Sequence, residues 1–267
     1  MNESTGPIGV FDSGVGGLTV FKEISDLLPE EKIIYLGDTA RVPYGTKSPE
    51  TVIKYALQDS RFLIDKKAKL IVIACNTASA VSLSALQGEL QVPVIGVIEP
   101  GARAAVEETS TKRIGVIGTE ATVNSGAYTE AIHTFDRSIQ VTSLSCPLFV
   151  PLSEEGWTSN SIAEETARTY LEHLKGSVDT LVLGCTHYPL LKEVIQKAVG
   201  KDVTLVCSAE ETARSVKEEL TRMDLFSQSG GREFYVSDNP DRFTLVGRKF
   251  LGKDGIENVR KITIDNY

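Results

Sequence analysis

Ile71-Val72-Ile73-Ala74-Cys75 decides how this chain is read, because Leu181-Val182-Leu183-Gly184-Cys185 repeats it. Each is a short run of apolar residues that closes on a small residue and a cysteine. Asn76-Thr77 follows the first and Thr186-His187 the second. Continuous apolar runs of this length suit parallel strands covered on both faces. Working outward, Ile8-Gly9-Val10-Phe11-Asp12-Ser13 aligns with Ile114-Gly115-Val116-Ile117-Gly118-Thr119, and Ala102-Arg103 with Ala213-Arg214. The shifts are 106 residues (8 to 114), 110 (75 to 185) and 111 (102 to 213). Three correspondences, in order and nearly evenly shifted, predict two copies of one α/β unit.

The remaining chain fits that prediction. Ile8–Phe11, Ile33–Leu36, Leu70–Ala74, Val94–Ile98, Ile114–Ile117, Val141–Leu144, Leu181–Leu183 and Val203–Val206 read as buried strands. Ser161-x-x-Glu164 and Ser208-x-x-Glu211 read as capping boxes ahead of helices. Alternating strands and helices predict an α/β fold of two similar doubly wound domains related by a pseudo-twofold. The boundary falls near residues 98–101, on the repeat alone.

Bulk properties narrow the function. A chain of 267 residues with 41 % hydrophobic content can bury a core, and its length suits two domains. The net charge of −8 argues against a polyanionic partner, since phosphate binding relies on clustered Lys and Arg. Met1–Pro7 has neither a basic nor an apolar leader pattern, and no apolar run reaches the ~18–20 residues of a membrane span. Four dispersed cysteines (75, 146, 185, 207) without a C-x-x-C pair suggest reduced thiols and a cytoplasmic protein. With three histidines in all, a metal site has little to draw on.

Cysteine is often just a small buried hydrophobe. Two at matched strand ends in a repeat are a different matter. Ligands in open α/β sheets bind beyond the carboxyl ends of strands. A thiol at a helix N-terminus there can have its pKa lowered and serve as acid or base. Two related halves facing one cleft offer two such groups, which is what inversion of a stereocentre by proton transfer needs. Flanking one tetrahedral carbon, the sulfurs should lie on the order of 6–8 Å apart in a closed state. Cys146 and Cys207 lack this pairing and read as structural.

Asp12-Ser13-Gly14-Val15-Gly16-Gly17-Leu18-Thr19 could cradle a carboxylate on its backbone N–H groups. It is also a near miss for a dinucleotide fingerprint. Gly14-x-Gly16 fits but Thr19 replaces the last glycine, and Asp38 stands where a ribose-binding acid would. Asp38 opens a polar loop, Asp38-Thr39-Ala40-Arg41-Val42-Pro43-Tyr44-Gly45, that should also lie at the carboxyl edge.

Taken together, IGVFDSGVGGLTV, YLGDTARVPYG, IACNTASA, VPVIGVIEPG, IGVIGTEATVNSGAY, CPLFVPLSEEGW, LVLGCTHYPLL and SDNPDRFTLVGRKFLG resemble glutamate racemases of the aspartate/glutamate racemase superfamily. The resemblance covers nearly the whole chain. It implies two α/β domains, 1–98 plus 209–267 and 99–208, with the active site between them and the C-terminal segment packed on the first. It makes Cys75 and Cys185 the proton donor and acceptor, assisted by Asp12 and His187. Asp12, Ser13, Tyr44, Gly45, Asn76, Thr77, Thr186 and His187 fall at substrate-contacting positions, with Glu154, Thr119 and Thr122 as auxiliary residues. It implies no pyridoxal phosphate, nicotinamide or metal cofactor. Glutamate is the expected small-molecule substrate and D-glutamate for peptidoglycan the expected product. No nucleic-acid or membrane partner is expected, and a homodimer is the expected form. Rival readings are an aspartate racemase, where Glu typically follows the second Cys-Thr instead of His187, a dinucleotide-dependent oxidoreductase, and a non-enzymatic regulator.

Overall fold

The computed structural model describes residues 6–252 and 255–267; most of the Met1–Pro7 stretch lies outside them. The first half runs β1 (Ile8–Asp12), α1 (Leu18–Leu27), β2 (Ile33–Gly37), α2 (Pro49–Asp65), β3 (Leu70–Ile73), α3 (Asn76–Glu89), β4 (Val94–Gly96) and α4 (Ile98–Glu108). The second runs β5 (Arg113–Gly118), α5 (Glu120–Asn124), α6 (Ala127–Phe135), β6 (Gln140–Ser145), α7 (Phe149–Glu155), α8 (Ser161–Leu171), β7 (Thr180–Gly184), α9 (Lys192–Val199), β8 (Thr204–Cys207) and α10 (Ser208–Met223). β9 (Arg232–Val236), α11 (Pro240–Leu251) and β10 (Arg260–Lys261) follow.

Two parallel sheets result. The first is ordered β10-β9-β2-β1-β3-β4 and the second β6-β5-β7-β8. The second order is that of β2-β1-β3-β4 under the predicted repeat, so the aligned sequences occupy equivalent strands. β9 pairs with the outer edge of β2, Ile33 opposite Arg232, and so returns the late chain to the first sheet.

Alternation along the strands explains the two-sided burial. In β3, Leu70 and Val72 join one core, while Ile71 and Ile73 join the core on the other face. In β7, Leu181 and Leu183 face one core and Val182 the opposite one. Each such side chain, fully buried, contributes roughly 1.5–3 kcal/mol. Cys75 extends the Ile71–Ile73 face and Cys185 the Leu181–Leu183 face. No described helix is long and apolar enough to cross a membrane.

Beyond one-residue shifts at strand ends, and the edge strand β6, which reads as buried but has no buried residue, local structure differs from the sequence reading in three places. The fourth strand stops at Gly96, not Ile98, because its ladder ends at Ile73 and the Val97 N–H donates to Ser79 Oγ (3.2 Å). Neither capping box forms. Asn160 caps α8 by accepting from Ala163 N, with Ser161 already inside the helix. Cys207 precedes α10 without a side-chain cap, and Ser208 is its first residue. The third difference concerns the cysteines. α3 starts directly after Cys75, whereas a 3-10 turn over Tyr188–Leu191 intervenes between Cys185 and α9.

Candidate active site

In the order β2-β1-β3-β4 the helical crossovers diverge between β1 and β3, and the same holds for β5 and β7. Ligands in open α/β sheets lie at such switch points. Ser13 and Cys75 stand at the first, Thr119 and Cys185 at the second. All four line one cavity of about 400 Å³ between the halves. That volume falls within the ~300–1,000 Å³ of small-molecule sites.

Tyr44, Gly45, Asn76, Thr77, Glu154, Thr186 and His187 also line it. Asp12 and Thr122 do not; both are buried behind the wall. Asp12 Oδ2 accepts from Gly14 N (2.8 Å), while Oδ1 has no hydrogen-bond partner among the described residues. Thr122 closes a triangle of hydroxyls with Thr77 (3.3 Å) and Thr119 (3.0 Å), and Thr77 and Thr119 are 3.0 Å apart. That triangle joins α3 to the start of α5, one element from each half.

The two thiols sit in different surroundings. Cys75 caps α3, accepting from Ala78 N (3.4 Å), and its thiol points to Ser13 Oγ (3.7 Å). A helix N-terminus alone would lower its pKa. Burial and the nearby Asp12 carboxylate outweigh the Ala78 and Ser13 hydrogen bonds and push the thiol up to about 12. Cys75 is therefore a protonated thiol at neutral pH. Asp12 is itself raised by burial, against the pull of His187.

Cys185 has no helix behind it but faces an imidazole. Its sulfur is 3.9 Å from His187 Nδ1, and His187 Nε2 is 3.2 Å from Glu154 Oε1. Burial opposes a charge on His187, but the hydrogen bonds to Cys185 and Glu154 prevail and lift it from 6.5 to about 10. Glu154 is held below its ordinary value by its hydrogen bond to His187. The imidazolium thus places positive charge beside Cys185.

This carries a stability signature. A proton bound more tightly in the folded state stabilises the fold fully below about 6.5, and the contribution is lost as pH rises through about 10. Unfolding free energy measured across that window should fall more steeply in the native protein than in His187→Gln. Equal slopes would refute the charged imidazole.

Support for the site reaches across the halves. Asn76 Oδ1 accepts from the Tyr128 hydroxyl on α6 (2.7 Å), leaving Asn76 Nδ2 buried with no partner among the described residues. The Phe250 ring on α11 meets the His187 ring edge-on at 5.7 Å, and Lys249 donates to the Glu154 carbonyl (2.6 Å). Nothing in the sequence singles out Tyr128, Phe250 or Lys249. All lie inside stretches quoted above, but their partners are distant in sequence and no local pattern marks them. Val42, Pro43, Pro147, Val150 and Pro151, also unanticipated, form an apolar part of the wall. Cys146 and Cys207 do not line the cavity.

The glycine loop and Asp38 do not form a dinucleotide site. A Cβ on Gly16 would lie 2.3 Å from Thr186 Oγ1 and 2.5 Å from the His187 ring, so this glycine permits the halves to touch. Asp38 is fully buried, bound by Arg41, Tyr44 and Ser237, and has nothing left for a ribose.

Comparison with known proteins identifies the family and the fold. Residues 8–216 match the family described as Asp/Glu/Hydantoin racemase. A glutamate racemase from Geobacter metallireducens is 59 % identical over 92 % of each chain. The crystal structure of a Bacillus anthracis glutamate racemase superposes with a TM-score of 0.92 at 41 % identity, covering 96 % of this chain and 97 % of the other. That of the Francisella tularensis enzyme, in complex with D-glutamate, gives 0.92 and 41 % over 99 % and 100 %. With this much of its length matched at these identities, the chain belongs to the Asp/Glu/Hydantoin racemase family, among its glutamate racemases.

Proposed function

We propose that the protein interconverts L- and D-glutamate by a two-base 1,1-proton transfer between Cys185 and Cys75. The observation that carries the reading is that two thiols ending equivalent strands line one cavity between the halves. A relative with 41 % identity was crystallised with D-glutamate, which supports the substrate.

Starting from L-glutamate, Cys185 takes the α-proton as a thiolate beside the His187–Glu154 pair. Cys75, a thiol at neutral pH, delivers its own proton to the other face. From D-glutamate the roles exchange, and Asp12 is the group placed to assist Cys75. The α-proton of an amino-acid carboxylate is weakly acidic, so the developing carbanion needs fixed dipoles and the exclusion of water. Asn76 Nδ2 and the Thr77, Thr186 and Ser13 hydroxyls are the donors offered. Tyr44 contributes its ring and backbone, since its hydroxyl is turned into the protein. The remaining parts of the reading are a division into 1–98 plus 209–267 and 99–208, a cytoplasmic homodimer, and D-glutamate supply for peptidoglycan.

Isotope bookkeeping tests the mechanism. In D₂O, a single turnover from L-glutamate should give D-glutamate carrying deuterium at Cα, with unreacted L-glutamate still protiated at early times. The reverse reaction should mirror this. Early product that retains the original hydrogen would indicate one base serving both faces and remove the two-thiol mechanism.

A further inference from the structure

The loop that walls the cavity opposite Thr119 is held from behind by two acids that never meet the cavity. Val42, Pro43, Tyr44, Gly45 and Thr46 line it. Tyr44 Oη lies 2.5 Å from Asp38 Oδ2 and 2.9 Å from Asp59 Oδ2. Both acids are completely buried. Arg41 spans them, with Nε 2.6 Å from Asp38 Oδ2 and Nη2 3.1 Å from Asp59 Oδ1. Its remaining contacts are Gln58 Oε1 (2.6 Å) and the Tyr55 ring (4.1 Å). Ser237 Oγ donates to Asp38 Oδ1 (2.8 Å).

Counting protons shows what this arrangement requires. A phenol has one hydrogen, and two ionised carboxylates can only accept. Both cannot be satisfied by Tyr44. Two buried negative charges would also share one hydrogen-bonded cation, Arg41, among the described residues. A single added proton resolves both problems. Asp38 already accepts three hydrogen bonds, from Arg41, Ser237 and Tyr44, and needs no further donor. Asp59 is reached by Arg41 and, at the longer distance of 2.9 Å, by Tyr44, and burial together with the Asp38 charge raises its affinity for a proton.

We propose that Asp59 is a positioning residue for racemisation: its buried carboxyl carries a proton and donates it to Tyr44, which donates to Asp38, fixing the 42–46 wall of the cavity. This rests on the cavity being the substrate site. Among the described residues, Tyr44 is the one cavity-lining group that hydrogen-bonds to Asp59, and Asp59 acts through it. Gly45 follows directly, and a Cβ there would come within 3.2 Å of Thr119, so displacement of Tyr44 moves the wall against the other half.

The test compares two substitutions at equal folded concentration. Asp59→Asn keeps shape, neutrality and a donor to Tyr44, and should hold KM for glutamate within about twofold. Asp59→Ala takes one partner from Tyr44 and one from Arg41, leaving both held only from the Asp38 side and by Gln58, and should raise KM about tenfold or more, with a smaller fall in kcat. Asn as damaging as Ala, or Ala without effect on KM, would overturn the proposal. Infrared difference spectra of the unliganded full chain, native minus Asp59→Asn, give a second readout that survives a failure of Asp59→Ala to fold. They should show the loss of a protonated-carboxyl C=O band that shifts in D₂O. Loss of a carboxylate band instead would overturn the shared proton. This arm does not depend on where glutamate binds, so its failure is distinct from failure of the two-thiol reading.

Discussion

Cys75→Ser and Cys185→Ser should each lose about 10²–10⁴-fold or more of racemase activity in both directions, the range expected when one acid–base group is removed. Serine retains the shape and, at position 75, an acceptor for Ala78 N, but its hydroxyl is far too weak an acid to exchange protons at Cα. The folded state should be little affected. Each change alters one atom at the cavity edge, well short of the ~2–5 kcal/mol of a large-to-small core substitution. Initial rates by polarimetry, with thermal unfolding as the control, decide the matter. Substantial turnover by either variant would remove that cysteine from the mechanism. The surroundings differ, so the losses need not match: Cys185 has the His187–Glu154 pair beside it, and Cys75 has Asp12 and Ser13.

Gly16→Ala should be nearly as damaging although it touches no proton in flight. The added methyl would lie 2.3 Å from Thr186 Oγ1 and 2.5 Å from His187 Nδ1, both on buried residues. The halves must separate or the imidazole must turn, and either moves His187 relative to Cys185. Misplacement of reacting groups by about 1 Å costs on the order of 10²-fold in rate. We expect a fall of about that size in kcat/KM with a lower Tm. Gly88→Ala is the control: a Cβ there meets nothing within 4 Å, and helix propensity predicts a gain of ~0.5–1 kcal/mol. If Gly16→Ala is as harmless as Gly88→Ala, the close approach of the halves does not matter for turnover.

The strands were legible in the sequence because burial on both faces writes itself as unbroken apolar runs, and the repeat was legible because equivalent strands keep equivalent residues. Thus Ile71–Cys75 and Leu181–Cys185 could be matched before any coordinates. What followed each cysteine was less legible. Pro189, without an N–H, stands in the turn after Cys185, and α9 begins only at Lys192. Asp38 shows the limit of spacing arguments. Its distance from the glycines fits a ribose ligand, but Arg41, three residues on, folds back to consume it. Cys75 shows another. Its helix N-terminus was visible in the sequence, while the burial and the Asp12 charge that outweigh it depend on neighbours more than 60 residues away. Tyr128 and Phe250 reach Asn76 and His187 over similar separations, and nothing local in either stretch announces the contact.

The return of β9 to the edge of β2 has a consequence for the order in which the molecule can be assembled. All strands of the second sheet lie between residues 113 and 207, so that half has its full hydrogen-bonding complement once Cys207 is made. The first sheet starts earlier and finishes later. Ile33–Gly37 must wait for Arg232–Val236, and until then β2 presents an open row of backbone donors and acceptors. An unpaired apolar strand edge is a template for pairing with another chain. Ribosome-bound chains that end between residues 207 and 231 should therefore be the most prone to self-association, and those extending past β9 should lose that tendency as the late strand covers the early one.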